Sequence, residues 1–289
     1  AVRPSADAGY AYYNDSDGNR SNKSSASFSA WASVARIGLG FRYFDARDNV
    51  RYADVRQASL GVSSRVTENM GLSAAAGFHG SNAVETRGFM TGSGRLELRI
   101  PRGNIAASAS SEILADTAQI IGNSVRVSSY QMSLSQYLGS GITADGAFGY
   151  RDYTDRNHSR DLALSVRYAF DVRAPLVNAG YRFRLRDFSR ETGSGYFDPS
   201  NYMSHQLFLG LSHDGRWLTA SLEPYVGYEM FDRRGTSASQ WIGGGSASLG
   251  VKIAEGWILE ANFEGGSNSA AAAAGFDYFQ AGVLLRARF

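Results

Sequence analysis

The chain has 289 residues, with 33 glycines, 5 prolines and no cysteine; 12% of its residues are aromatic and 19% are charged. A formal charge of +2 without a basic run excludes the electrostatic footprint of a nucleic-acid binder, and the lack of cysteine excludes a disulfide scaffold while suiting passage through an oxidising compartment. No stretch approaches the roughly 18 apolar residues of a membrane helix, so a hydropathy scan reads the chain as soluble. No charged-then-apolar leader stands at Ala1, and the chain reads as one already processed.

Taken in chain order, a first strand is predicted near 9–13, followed by the polar NDSDGNRSN at 14–22 and a second strand near 25–34. A sharp turn near Ala35 leads to a third strand near 36–45, where Ile37, Leu39, Phe41 and Tyr43 alternate with Gly38, Gly40 and Arg42. The same two-residue period, which sends successive side chains to opposite faces of a strand, runs through RLELRI at 95–100 and YRFRLR at 181–186. In the latter, Tyr181, Phe183 and Leu185 share one face and Arg182, Arg184 and Arg186 the other. At the C-terminus, Phe279, Ala281, Val283, Leu285, Ala287 and Phe289 oppose Gln280, Gly282, Arg286 and Arg288. Such strands require lipid on one side and water on the other.

A chain that ends on a lipid-facing aromatic after such a strand resembles the closing strand of bacterial outer-membrane β-barrels. The resemblance implies an all-β, transmembrane antiparallel barrel in the bacterial outer membrane, with Phe289 as the C-terminal signal read by the barrel-assembly machinery. Alternation recurring about every 18 residues gives about sixteen strands in one domain spanning 1–289. Short turns are predicted near Ala35 and at 67–70, 101–104, 139–141, 173–175, 213–216 and 254–256. Longer links are predicted near 14–23, 46–54, 80–87, 115–124, 152–159, 187–203, 231–239 and 266–275. Both termini are then periplasmic, on the short-turn side.

Pro101 and Pro175 fall at short turns, where a missing backbone donor costs little. Pro224 falls inside the predicted strand 217–230 and should mark a bulge or a weak seam. IGGGS at 242–246 suggests a bend or close packing against a neighbour, because no helix follows to make it a phosphate loop.

About eight strands enclose only side chains, whereas about sixteen leave an aqueous channel unless something fills it. Inward positions carry Arg42, Arg65, Arg95, Glu97 and Arg99 early in the chain. Asp145, Arg151, Arg167, Arg182, Arg184 and Arg186 follow, and then Glu223, Tyr225, Glu229, Lys252, Glu260, Glu264, Arg286 and Arg288. These charges either pair across strands to stabilise a wet wall or form a surface selecting neutral or anionic solutes. Trp31, Phe44, Tyr137, Trp217, Tyr225 and Tyr278 are further candidates to face the bore, with membrane-interface girdles as the plainer assignment.

YFDP at 196–199, SLEPYVGY at 221–228 and GGGSASLG at 243–250 resemble the C-terminal barrel of tetratricopeptide-linked outer-membrane proteins, which include bacterial exporters of cellulose and poly-N-acetylglucosamine. The similarity covers the second half of the chain best. It implies a channel that passes a secreted polysaccharide, fed by a periplasmic repeat scaffold and an inner-membrane synthase. The sequence departs from that pattern because it contains no repeat of about 34 residues, so a scaffold would lie outside this chain. The longest link, with Tyr196, Phe197, Asp198, Pro199 and Tyr202, is expected to form a lid at the outer mouth.

Other chemistry is poorly supported. His79, His158, His205 and His213 lack a nucleophile elbow or an orienting partner at a workable spacing. No cluster has metal-ligand spacing, the acidic fragment at 15–19 lacks the frame of a calcium loop, and no enzyme activity or cofactor is expected. The alternatives are a general or solute-specific diffusion porin, or a structural barrel anchoring an envelope complex.

Overall fold

The computed structural model describes residues 3–82, 88–171, 175–233, 235–267 and 277–289. Sixteen strands follow in order: β1 (Ser5–Asp15), β2 (Arg20–Ala32), β3 (Ala35–Arg47), β4 (Tyr52–Arg65), β5 (Met70–Ser81), β6 (Phe89–Ile100), β7 (Gly103–Ile113), β8 (Arg126–Gly139), β9 (Ile142–Tyr153), β10 (His158–Asp171), β11 (Leu176–Phe188), β12 (Ser200–Asp214), β13 (Leu218–Arg233), β14 (Thr236–Ala254), β15 (Trp257–Ser267) and β16 (Asp277–Arg288). Each pairs antiparallel with its neighbours in sequence, and β1 closes on β16 from Ser5↔Arg288 to Asp15↔Tyr278. Closure leaves no unpaired edge, which is the condition for strands to span lipid. Both termini lie at the short-turn end, the periplasmic end of such barrels.

The two faces of the wall have opposite chemistry. Leu39 is matched to Leu60, and Leu164 to Phe183. Large apolar side chains on this outer face stay uncovered, Leu207 by 61% and Trp241 by 75%. In water that belt would drive aggregation; in a bilayer it meets its own solvent. The opposite face runs from strand to strand as a polar row, Ser135↔Asp145↔Ser165↔Arg182↔Gln206.

Most strands are longer than their apolar cores, so most links are shorter than expected; the link expected at 115–124 instead spans 114–125. The β1–β2 link shrinks to 16–19, because Asp15 accepts hydrogen bonds from the backbone of Asp17 and Asn19 and folds the polar segment into a tight turn. The β11–β12 link shrinks to 189–199, which moves Tyr202 from the expected loop into β12. Most of the 80–87 and 266–275 links, and part of the 173–175 turn, fall outside the described residues.

Pro224 produces a gap in pairing and no bulge. It stays in register with Gly245 of β14, whereas toward β12 the pairing stops at Phe208↔Tyr225 and resumes at Leu211↔Leu222 with equal residue counts on both strands. The glycine-rich run beside it reflects close approach: a Cβ on Gly245 would lie 3.0 Å from the Glu223 carbonyl oxygen and from Pro224 Cα.

The link read as an unstructured outer loop at 115–124 contains a helix, α1 (Ala118–Gly122). The Thr117 hydroxyl caps it, accepting from Ile120 N at 3.2 Å. Five residues cannot hold a helix by propensity; burial does it. Ala118 and Ile121 pack with Ala46, Ala53, Val55 and Ile113, and Ile120 packs with Val125, Val127, Tyr153, Phe188 and Tyr196. These two clusters are the apolar core of the molecule, and they lie inside the outer end of the barrel, with α1 reaching across to β3 and β4.

Candidate functional site: a charged bore with an occluded outer mouth

The outer mouth is built by α1 and the β11–β12 loop together. Gln119 Nε2 donates to the Gly193 carbonyl at 2.8 Å and Asn123 Nδ2 to the Ser194 carbonyl at 3.1 Å. Gly195 joins them with φ +101°, a conformation open mainly to glycine, and a Cβ there would lie 2.8 Å from the Gln119 side chain. The Tyr196 ring stacks on Tyr153 at 5.0 Å, and its hydroxyl donates to Asp155 at 2.9 Å and accepts from Asn157 Nδ2 at 3.0 Å. Burial pushes the Tyr196 phenol well above its ordinary pKa. Phe197 packs edge-on against Phe231 at 5.2 Å, and the Arg233 guanidinium covers it at 5.4 Å. Asp198 accepts from the Thr192 hydroxyl at 2.9 Å; burial raises its carboxyl, partly offset by those Thr192 hydrogen bonds. Tyr196, Phe197, Asp198, Pro199 and Tyr202 are all buried.

Beneath α1 lies a cavity of about 460 Å³ lined by Arg42, Gln57, His79, Glu112, Asp116, Arg151 and Arg186, among others. Asp116 is open to the bore yet ringed by protein; desolvation raises its carboxyl, and the charge of Glu112 adds to the effect. The helix, Glu112 and Asp116 were missed by sequence reading. The available signal was LADTAQII at 114–121, too apolar for a solvated link and preceded by a capping threonine.

Below the outer mouth, arginines of β9 and β11 pair with acids of β10 and β13. Arg182 pairs with Glu223, and its guanidinium lies 4.1 Å above the Phe208 ring. Arg186 pairs with Asp161 at 2.6 Å, with Arg151 at 3.9 Å from the same carboxylate. Tyr202 donates to Glu229 at 3.0 Å, Tyr278 to Glu264 at 2.8 Å, and Ser135 and Ser165 to Asp145. A cavity of about 570 Å³ brings together Arg182, Arg184, Tyr202, Gln206, Tyr225 and Glu264. Arg167 lies toward the same Phe208 ring at 5.8 Å.

Several of the residues named from sequence sit toward the periplasm. Arg95 pairs with Glu97 at 3.8 Å and Arg286 with Glu260 at 3.4 Å, while Arg99 and Arg288 share recesses with them. Lys252 serves the rim: its amine reaches the Gly215 carbonyl at 3.2 Å and Asp214 at 3.9 Å. Phe289 donates its backbone N–H to the Pro4 carbonyl at 3.0 Å and meets Trp257 edge-on at 6.0 Å. Trp31, Phe44, Tyr225 and Tyr278 share the inward face, whereas Trp217 lies at the β12–β13 turn, 60% exposed under Arg216. Tyr137 is occupied at a turn, accepting from Gly141 N. Ser204 is inward and buried, while His205 on the other face meets the Tyr181 hydroxyl at 2.6 Å, so the two do not converge.

No protein-family model matches the sequence, and no curated protein matches it. Solved structures do match in fold. A structure described as a bacterial polysaccharide outer membrane secretin superposes with a TM-score of 0.80 at 12% identity, over 99% of this chain and 98% of that one. CdiB from Acinetobacter baumannii gives 0.58 at 13% identity, over 99% of this chain and 60% of that one. OprB from Pseudomonas putida gives 0.52 at 9% identity, over 100% and 94%. At such identities the likeness is one of fold. Together with the uncovered apolar belt and the polar bore, it makes the chain a sixteen-stranded barrel of the bacterial outer membrane, with the architecture of outer-membrane channels.

Proposed function

We propose that this barrel is a channel through which a polysaccharide crosses the outer membrane. The observation that carries the reading is the lining of the bore: serine, glutamine and tyrosine groups interleaved with charges, several of them already paired, as in Arg182–Glu223, Arg186–Asp161 and Arg286–Glu260. A long glycan needs many hydrogen-bonding partners that exchange without any one holding tightly, and paired charges meet that need better than free ones. The near-complete overlap with a structure described as a polysaccharide secretin supports the same reading. On this reading Arg42, Arg95, Arg99, Arg167, Arg182, Arg184, Arg186, Glu97, Glu223, Tyr225, Glu229, Glu260 and Glu264 line the path, with Lys252, Arg286 and Arg288 at its rim. The loop 189–199 and α1 form a gate that must swing aside for cargo to leave. A periplasmic tetratricopeptide scaffold and an inner-membrane synthase would supply the chain from below, and the barrel-assembly machinery would read Phe289.

A diffusion porin is the second reading, favoured by the inward-folded α1, since a constriction made by an inserted segment also sieves small solutes. Planar-bilayer recording separates the two. For a polysaccharide channel, deleting Gly193–Ser200 raises conductance, and long oligosaccharides then block the current. Unchanged conductance with free passage of monosaccharides favours the porin. A barrel that conducts in neither form is a structural anchor.

A further inference from the structure

The periplasmic mouth gathers guanidinium groups around one indole. Register sets Trp31 of β2 beside Arg36 of β3. Trp31 is the shared wall of two recesses, of about 310 Å³ and about 850 Å³, and 40% of it stays exposed. The smaller recess adds Arg65, Arg95 and Arg99, with Glu68 and Glu97 as its acids. The larger adds Arg3, Arg36, Arg286 and Arg288, with Asp7 as its acid. Seven guanidinium groups and three carboxylates line the two recesses, and Arg3 and Arg286 are paired with Glu255 and Glu260 beside them.

Their pairing differs from that of Arg182 and Arg186 further up, which are held by Glu223 and Asp161, though Arg42, Arg167 and Arg184 there also stand outside any ion pair among the described residues. Arg36 donates to the hydroxyls of Ser29 and Ser5. Among the described residues, Arg36, Arg65, Arg99 and Arg288 form no ion pair. A free guanidinium presents a planar fork that fits a carboxylate or sulfate, and a bore with low-dielectric walls focuses the field of several such groups. An exposed indole face offers a stacking surface for the C–H face of a sugar ring. A neutral glycan would use the ring and leave the guanidinium groups idle; an anionic one uses both.

We propose that this collar is the ingress subsite for an anionic polysaccharide, one sugar stacking on Trp31 while its acid groups engage Arg36, Arg65 and Arg99. The proposal rests on the reading of the barrel as a polysaccharide channel and adds the cargo's charge and point of capture. Short turns face the periplasm, so the collar stands where an outgoing chain arrives. Guanidinium groups clustered around an indole capture it there, and a mixture of paired and single charges further up lets it slide.

The test is block of ion current by oligogalacturonate hexamers applied to the periplasmic side of the full-length barrel, compared with cellohexaose. The expected half-blocking concentration is at least about tenfold lower for the uronate, a preference that shrinks in molar salt. Trp31→Ala weakens block by both sugars, and Trp31→Phe restores it. The triple variant Arg36→Gln, Arg65→Gln, Arg99→Gln weakens block by the uronate alone. Retention of the heat-modifiable gel shift of a closed barrel verifies folding of each variant; where Trp31→Ala does not insert, Trp31→Leu replaces it. Equal block by the two sugars, or uronate block unchanged in the triple variant, overturns the subsite and leaves a polysaccharide channel standing. Passage of monosaccharides with no block by any hexamer overturns the channel reading and the subsite with it.

Discussion

The outer and periplasmic mouths of this barrel are built from the same sixteen strands and have little else in common. The outer mouth is filled, apolar and hydrogen-bonded, with Ile120 and Asn157 fully buried and the loop 189–199 tied to α1. The periplasmic mouth is open, basic and bounded by short turns, and among the described residues its Arg36, Arg65, Arg99 and Arg288 form no ion pair. One end stores packing energy and the other stores electrostatic potential. Only the first can be opened by loosening contacts, and only the second responds to added salt.

The largest expected effect comes from breaking the filled end. Ile120→Asp places a charge in an apolar cluster, which costs several kcal/mol unless the group reaches water, so α1 should leave the mouth. Single-channel conductance should rise several-fold, while the heat-modifiable gel shift shows the barrel intact. A smaller step, Tyr196→Phe, removes the hydroxyl shared by Asp155 and Asn157 and leaves a buried amide short of a partner, at a cost of about 1–3 kcal/mol. Brief openings should become frequent without a change in the fully open level.

At mid-depth, Glu223→Gln should cost little in stability, about 0.5 kcal/mol or less, because the pair with Arg182 is partly exposed. It should nevertheless shift the reversal potential toward anions. The smallest effect is that of pH. The carboxyls of Asp116 and Asp198 are raised above their ordinary 3.8 in the occluded mouth. The occluded state therefore binds more protons than an opened one between that value and the raised one. Occlusion is strongest below the ordinary value and weakens as pH rises through the raised one, so openings should be rarer at pH 4 than at pH 7. Equal gating at both values would remove these two groups from the balance.

The contrast between the mouths also marks what could be read from sequence. A wall between two solvents writes itself in every second residue, and Tyr181–Arg186, Arg95–Ile100 and 279–289 all alternate in the structure as they do in the sequence. Strand ends are harder to read, because polar residues such as Arg20 to Lys23 continue the ladder past the apolar belt, held by backbone pairing with no side-chain signature. Helix α1 is too short to show a period and exists only because the bore buries it. That charges such as Asp145 and Arg182 share one face of the wall was legible, but depth along the axis was not. Whether Arg186 meets Asp161 or Arg182 meets Glu223 depends on stagger between strands, which composition does not encode.

The seam between β1 and β16 has a consequence for biogenesis. Its partners, from Ser5↔Arg288 to Asp15↔Tyr278, belong to the first and the last of the sixteen strands, so the cylinder cannot be sealed until the final strand has been delivered. Every earlier intermediate carries two raw margins of unmet amides and carbonyls, intolerable in hydrocarbon. Loss of the last dozen residues should therefore trap the precursor short of insertion, exposed to proteolysis, and no smaller cylinder should form in its place.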